Sequence, residues 1–322
     1  MFPIRRMRRG RRTEGLRRLA QEVELRPDHL ILPLFVVPGR RREEALETMP
    51  GVRRLSVDLL ERRAAALKSR AVLIFGVPGE DEKDETGSAA LAQDGLVPAA
   101  VRALKTARPD VTVLTDLCLC AYTSHGHCGV VTEDGEVDND RTLPLLGGMA
   151  RAHAGAGADV VAPSGMMDGQ VAAIRSALDE AGLTGTAIMA YASKFASCFY
   201  GPFREAAHSA PGFGDRRGYQ LSPANRREAL RDALLDEEEG ADWLMVKPAM
   251  PYLDVLLELR QSTRLPIAAY QVSGEYAMLK FASSAGAIAE RESVLEAALC
   301  IRRAGADAII TYFAEQLCEW IV

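Results

Sequence analysis

The sequence predicts an α/β fold of the eight-stranded parallel kind, a TIM (β/α)8 barrel, and three observations carry that expectation. Eight short, apolar, β-rich runs alternate with stretches of helical period. A Gly-Ala-Asp tripeptide recurs three times at corresponding places. No Gly-x-Gly-x-x-Gly follows the first run, as a dinucleotide-binding doubly wound sheet would require. Near-continuous apolar strands alternating with helices imply parallel pairing buried on both faces. Eight such units are the number that closes a barrel.

In chain order the predicted strands are Leu30–Pro38, Ala71–Pro78, Val111–Cys120, Val160–Ser164, Thr186–Lys194, Trp243–Pro248, Pro266–Ser273 and Ala308–Phe313. Gly157-Ala158-Asp159, Gly240-Ala241-Asp242 and Gly305-Ala306-Asp307 each end a helix and lead into strands four, six and eight. Glycine suits the position just past a helix C-terminus, so the echo marks equivalent units. Loops after barrel strands build active sites. The two long ones, Ala121–Arg141 and Phe195–Pro223, are polar and Gly-rich and are predicted lids. The division is an N-terminal arm over 1–29 and a barrel over 30–322.

The chain has 322 residues, 48% hydrophobic and 26% charged, which excludes disordered and disulfide-scaffold classes. No apolar run is long enough to span a membrane and no signal-peptide core opens the chain, so the expected location is the cytoplasm. Net charge is -5, yet the first 18 residues hold eight Arg and one Glu, a local +7 that leaves -12 for the remainder. Clustered Arg invites a nucleic-acid reading. Without interleaved aromatics, and on an acidic body, the arm reads instead as a contact for a neighbouring subunit.

The chemistry concentrates at predicted strand ends. Of the 39 basic residues only six are Lys, and two of them, Lys194 and Lys247, end strands five and six. Neighbouring ammonium groups in an apolar cavity lower one another's pKa, and the freed amine attacks a carbonyl, which implies Schiff-base formation. Cys118, Cys120 and Cys128 follow a C-x-C-x7-C spacing. On a strand the first two thiols share a face, and the loop through Gly126 returns the third. Three thiolates with an open fourth position suit catalytic zinc, with His125 and His127 as competing or supporting groups. Arg204 and Arg216 lie in the loop after strand five, with Tyr200, Phe203 and Gln220, where Arg forks can bind a carboxylate. Ser273 and Tyr312 close strands seven and eight as hydroxyl donors, and Tyr270 lies nearby on strand seven as either a site or a core aromatic.

The blocks TDLCLCAYTSHGHCG, APSGMMDG, MAYASKFASCFYGPFREAA, FGDRRGYQLSPANRREAL, GADWLMVKPAMPYLD, AAYQVSGEYAML and AGADAIITYFA closely resemble the 5-aminolevulinate dehydratase (porphobilinogen synthase) family of tetrapyrrole and heme biosynthesis. They run from near residue 30 to the C-terminus. The resemblance implies a TIM-barrel hydro-lyase that condenses two 5-aminolevulinate molecules into porphobilinogen with loss of two waters. By position Lys247 is similar to the lysine that binds the first substrate, and Lys194 to the second lysine. The cysteine trio matches the zinc-type branch. Arg204, Arg216, Gln220, Ser273 and Tyr312 fall on substrate-contacting positions. The arm resembles a segment that wraps a neighbouring subunit, usually in a homo-octamer. Some bacterial members carry an allosteric magnesium, and Asp232 stands where their acidic ligand falls.

The chain departs from the family pattern at Gly165, where Asp is expected, at Ala89, where Glu is usual, and at His208, where Asp is common. Two other readings compete. A Schiff-base aldolase needs one such lysine and usually no thiolate metal. A catalytically silent relative would bind ligand or nucleic acid through its arm, and only Gly165 and Ala89 speak for it.

Overall fold

The computed structural model describes residues 4–321, so Met1, Phe2 and Pro3 of the predicted arm and Val322 lie outside the described residues. The strands are β1 (Leu30–Val37), β2 (Glu43–Ala45), β3 (Arg53–Ser56), β4 (Ala71–Gly76), β5 (Thr112–Leu117), β6 (Val160–Pro163), β7 (Ala187–Lys194), β8 (Trp243–Lys247), β9 (Ile267–Gln271) and β10 (Ala308–Thr311). The helices are α1 (Glu14–Leu19), α2 (Val57–Ala64), α3 (Leu96–Ala107), α4 (Asn139–Gly155), α5 (Gln170–Glu180), α6 (Gly201–Ala206), α7 (Arg226–Glu238), α8 (Leu253–Ser262), α9 (Ser273–Ser284), α10 (Glu290–Arg303) and α11 (Ala314–Trp320).

Eight strands pair in parallel in the order β10-β9-β8-β7-β6-β5-β4-β1, and β10 returns to β1 through Leu30↔Ile309 and Ile31↔Ile310. The sheet is a closed TIM barrel. All eight predicted runs are its staves. Their near-continuous burial, complete in β6, β9 and β10, is what a parallel sheet covered by helices demands.

The Gly-Ala-Asp echo has a common structure. Gly157, Gly240 and Gly305 take φ of +103°, +101° and +118°, a backbone region that side chains disfavour. Each following Asp then clips its strand to the preceding one. Asp159, Asp242 and Asp307 accept from the backbone N–H of Val113, Ile188 and Ile267 at 2.7, 2.8 and 2.9 Å. Their own N–H groups donate to the carbonyls of the same three residues at 2.9, 2.9 and 2.7 Å. Lys105 at 2.5 Å and Arg260 at 3.0 Å pair with Asp159 and Asp307.

Several predicted boundaries shift. Strand three ends at Leu117, so Cys118 is extended but Cys120 lies in a 3-10 turn over Leu119–Ala121, not on a strand face. Strand seven ends at Gln271, and Ser273 opens α9. The first predicted lid yields its last residues to α4, whose first turn is capped by the Asp138 carboxylate accepting from Arg141 N–H at 3.1 Å. The β2–β3 hairpin was not predicted. It is antiparallel, and β3 runs parallel to the C-terminal half of β1 at Phe35–Val37, where β10 no longer pairs.

Candidate active site

Lys194 and Lys247 are direct cross-strand partners in the β7–β8 ladder. A bulge makes them so. Met189 and Ala190 pair with Trp243 and Leu244, but Ser193 pairs with Val246, so β7 carries one extra residue between Ala190 and Ser193. Side chains alternate along a strand, and one inserted residue exchanges the faces beyond it. In an unbroken register Ser193 would stand beside Lys247 and Lys194 would face away.

Both lysines are 5% exposed. Lys194 Nζ donates to the carbonyl of Ser164 at 2.5 Å. Lys247 Nζ sits in an aromatic cage, 4.2 Å from the Tyr270 ring centre, 5.0 Å from those of Tyr191 and Phe203, and 5.3 Å from that of Tyr200. Burial, then the charge of Lys194, pushes its pKa down to about 7, against the pull of Asp116. Tyr200 donates to the Lys247 carbonyl at 3.2 Å, and the Tyr270 and Tyr312 hydroxyls are 3.1 Å apart.

Asp116, on β5, was not singled out in the sequence. A charged residue in an apolar strand is the signal that exposed the two lysines, and it applied here equally. Burial raises its pKa, opposed by Lys194 and Lys247, and Oδ1 has no hydrogen-bond partner.

The three thiols converge. The Sγ atoms of Cys118, Cys120 and Cys128 all lie within 4.8 Å of one another and are buried. Gly126, at φ +73°, makes the return, and a Cβ there would stand 2.2 Å from the Ala210 carbonyl oxygen. Hydrogen bonds from Cys118 and Cys120, then Arg216 and Lys194, hold the Cys128 thiol well below its ordinary value. A buried, thiol-only, mutually crowded trio fits a soft cation such as zinc. His125 and His127 are engaged elsewhere. His125 Nε2 is 3.1 Å from the Glu85 carbonyl, and His127 reaches the Tyr219 hydroxyl at 3.2 Å and the Phe213 carbonyl at 3.1 Å.

The second lid folds over this floor. Its two ends are pinned together, because Leu221 N–H donates to the Lys194 carbonyl at 3.1 Å and Ala196 N–H to the Leu221 carbonyl at 2.8 Å. Within it α6 carries Phe203 and Arg204. Ser273 Oγ accepts from Phe203 N–H at 3.0 Å and donates to the Phe199 carbonyl at 3.2 Å. Arg216 is held by the carbonyls of Gly126, at 2.9 Å, and Ser209. Yet Nε of Arg204, Nε of Arg216 and both amide atoms of Gln220 are buried without partners. Buried polar atoms left open in a cleft await a polar ligand.

The family model of delta-aminolevulinic acid dehydratase matches residues 4–320. The chain belongs to the delta-aminolevulinic acid dehydratase family. The dehydratase of Escherichia coli is 55% identical over 319 residues, 98% of this chain and 97% of that one. The dehydratase of Halalkalibacterium halodurans is 51% identical over 321 residues, 99% of this chain and 97% of its relative. The crystal structure of the dehydratase (porphobilinogen synthase) of Toxoplasma gondii, in complex with the reaction product porphobilinogen, superposes with a TM-score of 0.96 at 47% identity. It covers 99% of this chain and 92% of that one. This dehydratase-family chain is therefore an enzyme, and the aldolase and silent-relative readings fall away.

Asp232, the predicted magnesium ligand, lies on α7 away from the lysines. It lines a cleft of about 700 Å³ with Asp168 and Glu228, whose wall also includes His127 of the thiol loop and Tyr219 and Gln220 of the second lid. Burial, then the charges of Glu228 and Asp168, raises its pKa to about 6. Gly165 follows the carbonyl that holds Lys194, and a Cβ there would meet nothing closer than 3.6 Å, so space does not impose glycine.

Proposed function

We propose that this chain condenses two 5-aminolevulinate molecules to porphobilinogen, releasing two waters, through Schiff bases on Lys247 and Lys194. The observation that carries the reading is the in-register pair of buried lysines, flanked by an acidic side chain and a thiol trio. The Lys247 amine, its pKa lowered by burial and by the charge of Lys194, attacks the first substrate's ketone carbon. The carbinolamine loses its hydroxyl as water and leaves an imine, which fixes that molecule's direction. Asp116, whose proton affinity is raised, is placed to deliver the proton that the departing hydroxyl needs. Lys194 engages the second ketone beside it. Its imine forms in the same way and releases the second water. Each new bond at a former ketone carbon then breaks that carbon's bond to lysine nitrogen, which returns both free amines. Loop closure keeps bulk water from the imines.

Arg204, Arg216 and Gln220 present their open donors to one substrate carboxylate, while Ser273 and Tyr312 orient the other. Tyr200, Phe203 and Tyr270 wall the first substrate against Lys247. Cys118, Cys120 and Cys128 would hold zinc, which when bound supplies Lewis-acid polarisation of a ketone oxygen. Asp232, crowded by Asp168 and Glu228, would hold an allosteric magnesium. The arm over 1–29, basic and exposing Ile4, Met7 and Leu19, is read as wrapping a neighbouring copy in a homo-octamer, with the barrel spanning 30–322. No helix among the described residues is long and apolar enough to cross a membrane, and we place the enzyme in the cytoplasm, with no nucleic-acid partner.

The test is porphobilinogen formation from 5-aminolevulinate by enzyme stripped with a chelator and then given zinc. Borohydride trapping of the substrate is run alongside. Product that depends on zinc, and an adduct on Lys247, are expected. No product from the zinc-loaded enzyme, or trapping on Lys83 or Lys105 in place of Lys247, overturns the reading.

A further inference from the structure

The lid helix α6 is only six residues long, too short to hold itself in water. Its final carbonyls point past the last intrahelical donors. Arg54 meets them, and Lys83 meets the turn just beyond the helix. Arg54, on β3, donates from Nε to the Ala206 carbonyl at 2.6 Å and from Nη2 to the Glu205 carbonyl at 2.7 Å. Lys83, in the loop after β4, donates to the His208 carbonyl at 3.1 Å.

Neither cation is free to drift. The Arg54 side chain is 10% exposed and is braced from the other strand of the hairpin by Glu44 at 2.8 Å. The Lys83 side chain is 9% exposed and is braced by Glu80 at 2.8 Å. Thr48, in the hairpin loop, adds a bond to the Glu205 carboxylate at 2.9 Å. At the other end of α6, Ser273 holds the Phe203 N–H and the Phe199 carbonyl. The helix is thus clamped at both ends. Phe203, midway, packs against Phe35 and Phe75 with ring centres at 5.6 and 5.0 Å and lies over Lys247. The β2–β3 hairpin closes no part of the barrel, yet it carries one buried guanidinium under the lid.

We propose that Arg54 and Lys83 are positioning residues for the reaction. Arg54 caps the last carbonyls of α6 and Lys83 holds the turn beyond it, so that Phe203 stays over Lys247 and Arg204 stays near Arg216. The inference rests on the assignment of Lys247 and Arg204 above. Cations at a helix C-terminus also complement its dipole, so charge and hydrogen bonding act together. Because α6 touches substrate and not the bonds being made, its misplacement weakens binding more than turnover.

The experiment compares Arg54→Met, Lys83→Met and their double variant with Arg54→Lys, in the full chain loaded with zinc. Steady-state kinetics on 5-aminolevulinate, thermal midpoint and borohydride trapping at Lys247 are read for each. Each Met variant is expected to raise KM about tenfold with kcat within about threefold and near-normal trapping at saturating substrate, and Arg54→Lys to recover most of the loss. Unchanged KM in a folded double variant overturns the proposal. So does a parallel fall of kcat and thermal midpoint at constant KM, the mark of a merely structural role. If Arg54→Met does not fold, Lys83→Met decides by the same criteria. Wild-type enzyme run alongside separates the two failures. An inactive wild type sinks the functional assignment, and an active one with indifferent variants sinks only the clamp.

Discussion

At the N-terminal end of the barrel, Asp159, Asp242 and Asp307 each exchange hydrogen bonds with the neighbouring strand, and their oxygens find N–H groups. At the C-terminal end, Nε of Arg204, Nε of Arg216 and both amide atoms of Gln220 have no partner within the protein. Such atoms are met by solvent or by a ligand, because leaving one buried and unsatisfied costs about 1–3 kcal/mol. The aspartate clips hold the cylinder together. The C-terminal mouth keeps polar groups that a polar ligand can complete.

Variants at the two ends should therefore separate activity from stability. The largest effect is expected from Lys247→Met, which removes the proposed nucleophile and should cut kcat by at least about a thousandfold. Its thermal midpoint should hold or rise, because a buried amine is replaced by an apolar chain of similar length. A large fall in midpoint would show that this end, too, is built for stability. Next comes pH. With its pKa lowered to about 7, Lys247 is increasingly the free amine above that value and the ammonium below it. The rate under limiting substrate should fall with acidity below about pH 7, approaching tenfold per unit. A profile flat down to pH 5.5 would contradict the assignment of this lowered pKa to the nucleophile.

Gln220→Leu probes the open atoms directly. It should raise KM about tenfold, the worth of one or two lost hydrogen bonds, while the folded enzyme gains slightly in stability because two buried orphans are gone. Loss of stability instead would mean that Gln220 has partners within the protein. The smallest effect is expected at the other end. Asp307→Ala strands the N–H of buried Ile267 and frees Arg260, and should cost about 1–2 kcal/mol in a urea titration, with kcat and KM within about twofold. A marked change in KM would dissolve the contrast between the ends.

The legible part of this molecule is what burial writes into composition. Each barrel stave is an apolar run because helices cover it, and each Gly-Ala-Asp marks a helix stop with a strand clip. The β2–β3 hairpin escaped because Glu43–Ala45 and Arg53–Ser56 are short and charged, and they pair at the rim where no alternation is imposed. Cys118 and Cys120 suggested a shared strand face, yet the chain turns at Leu119, and the thiols meet through that turn. Asp116 carries the same mark as the two lysines, a charge within an apolar run, but it stands just before the cysteines in a stretch that is already polar. Arg204, Arg216 and Gln220 were found as residue types in a lid, but their unfilled bonding capacity is a property of packing that no residue type announces.

The bulge in β7 has a consequence for how such a site can be gained or lost. From Ala190 onward the strand counts one residue more than its neighbour, and only that count turns Lys194 inward. Inserting one more uncharged residue between Ala190 and Ser193, with the bulge unchanged in size, would leave charge and every functional side chain in place, yet it would seat Ser193 beside Lys247 and send the second amine to the far face. A two-amine cavity and a one-amine cavity are thus a single in-frame codon apart on this barrel. Insertion and deletion, and not only substitution, are steps by which its chemistry can be rewritten.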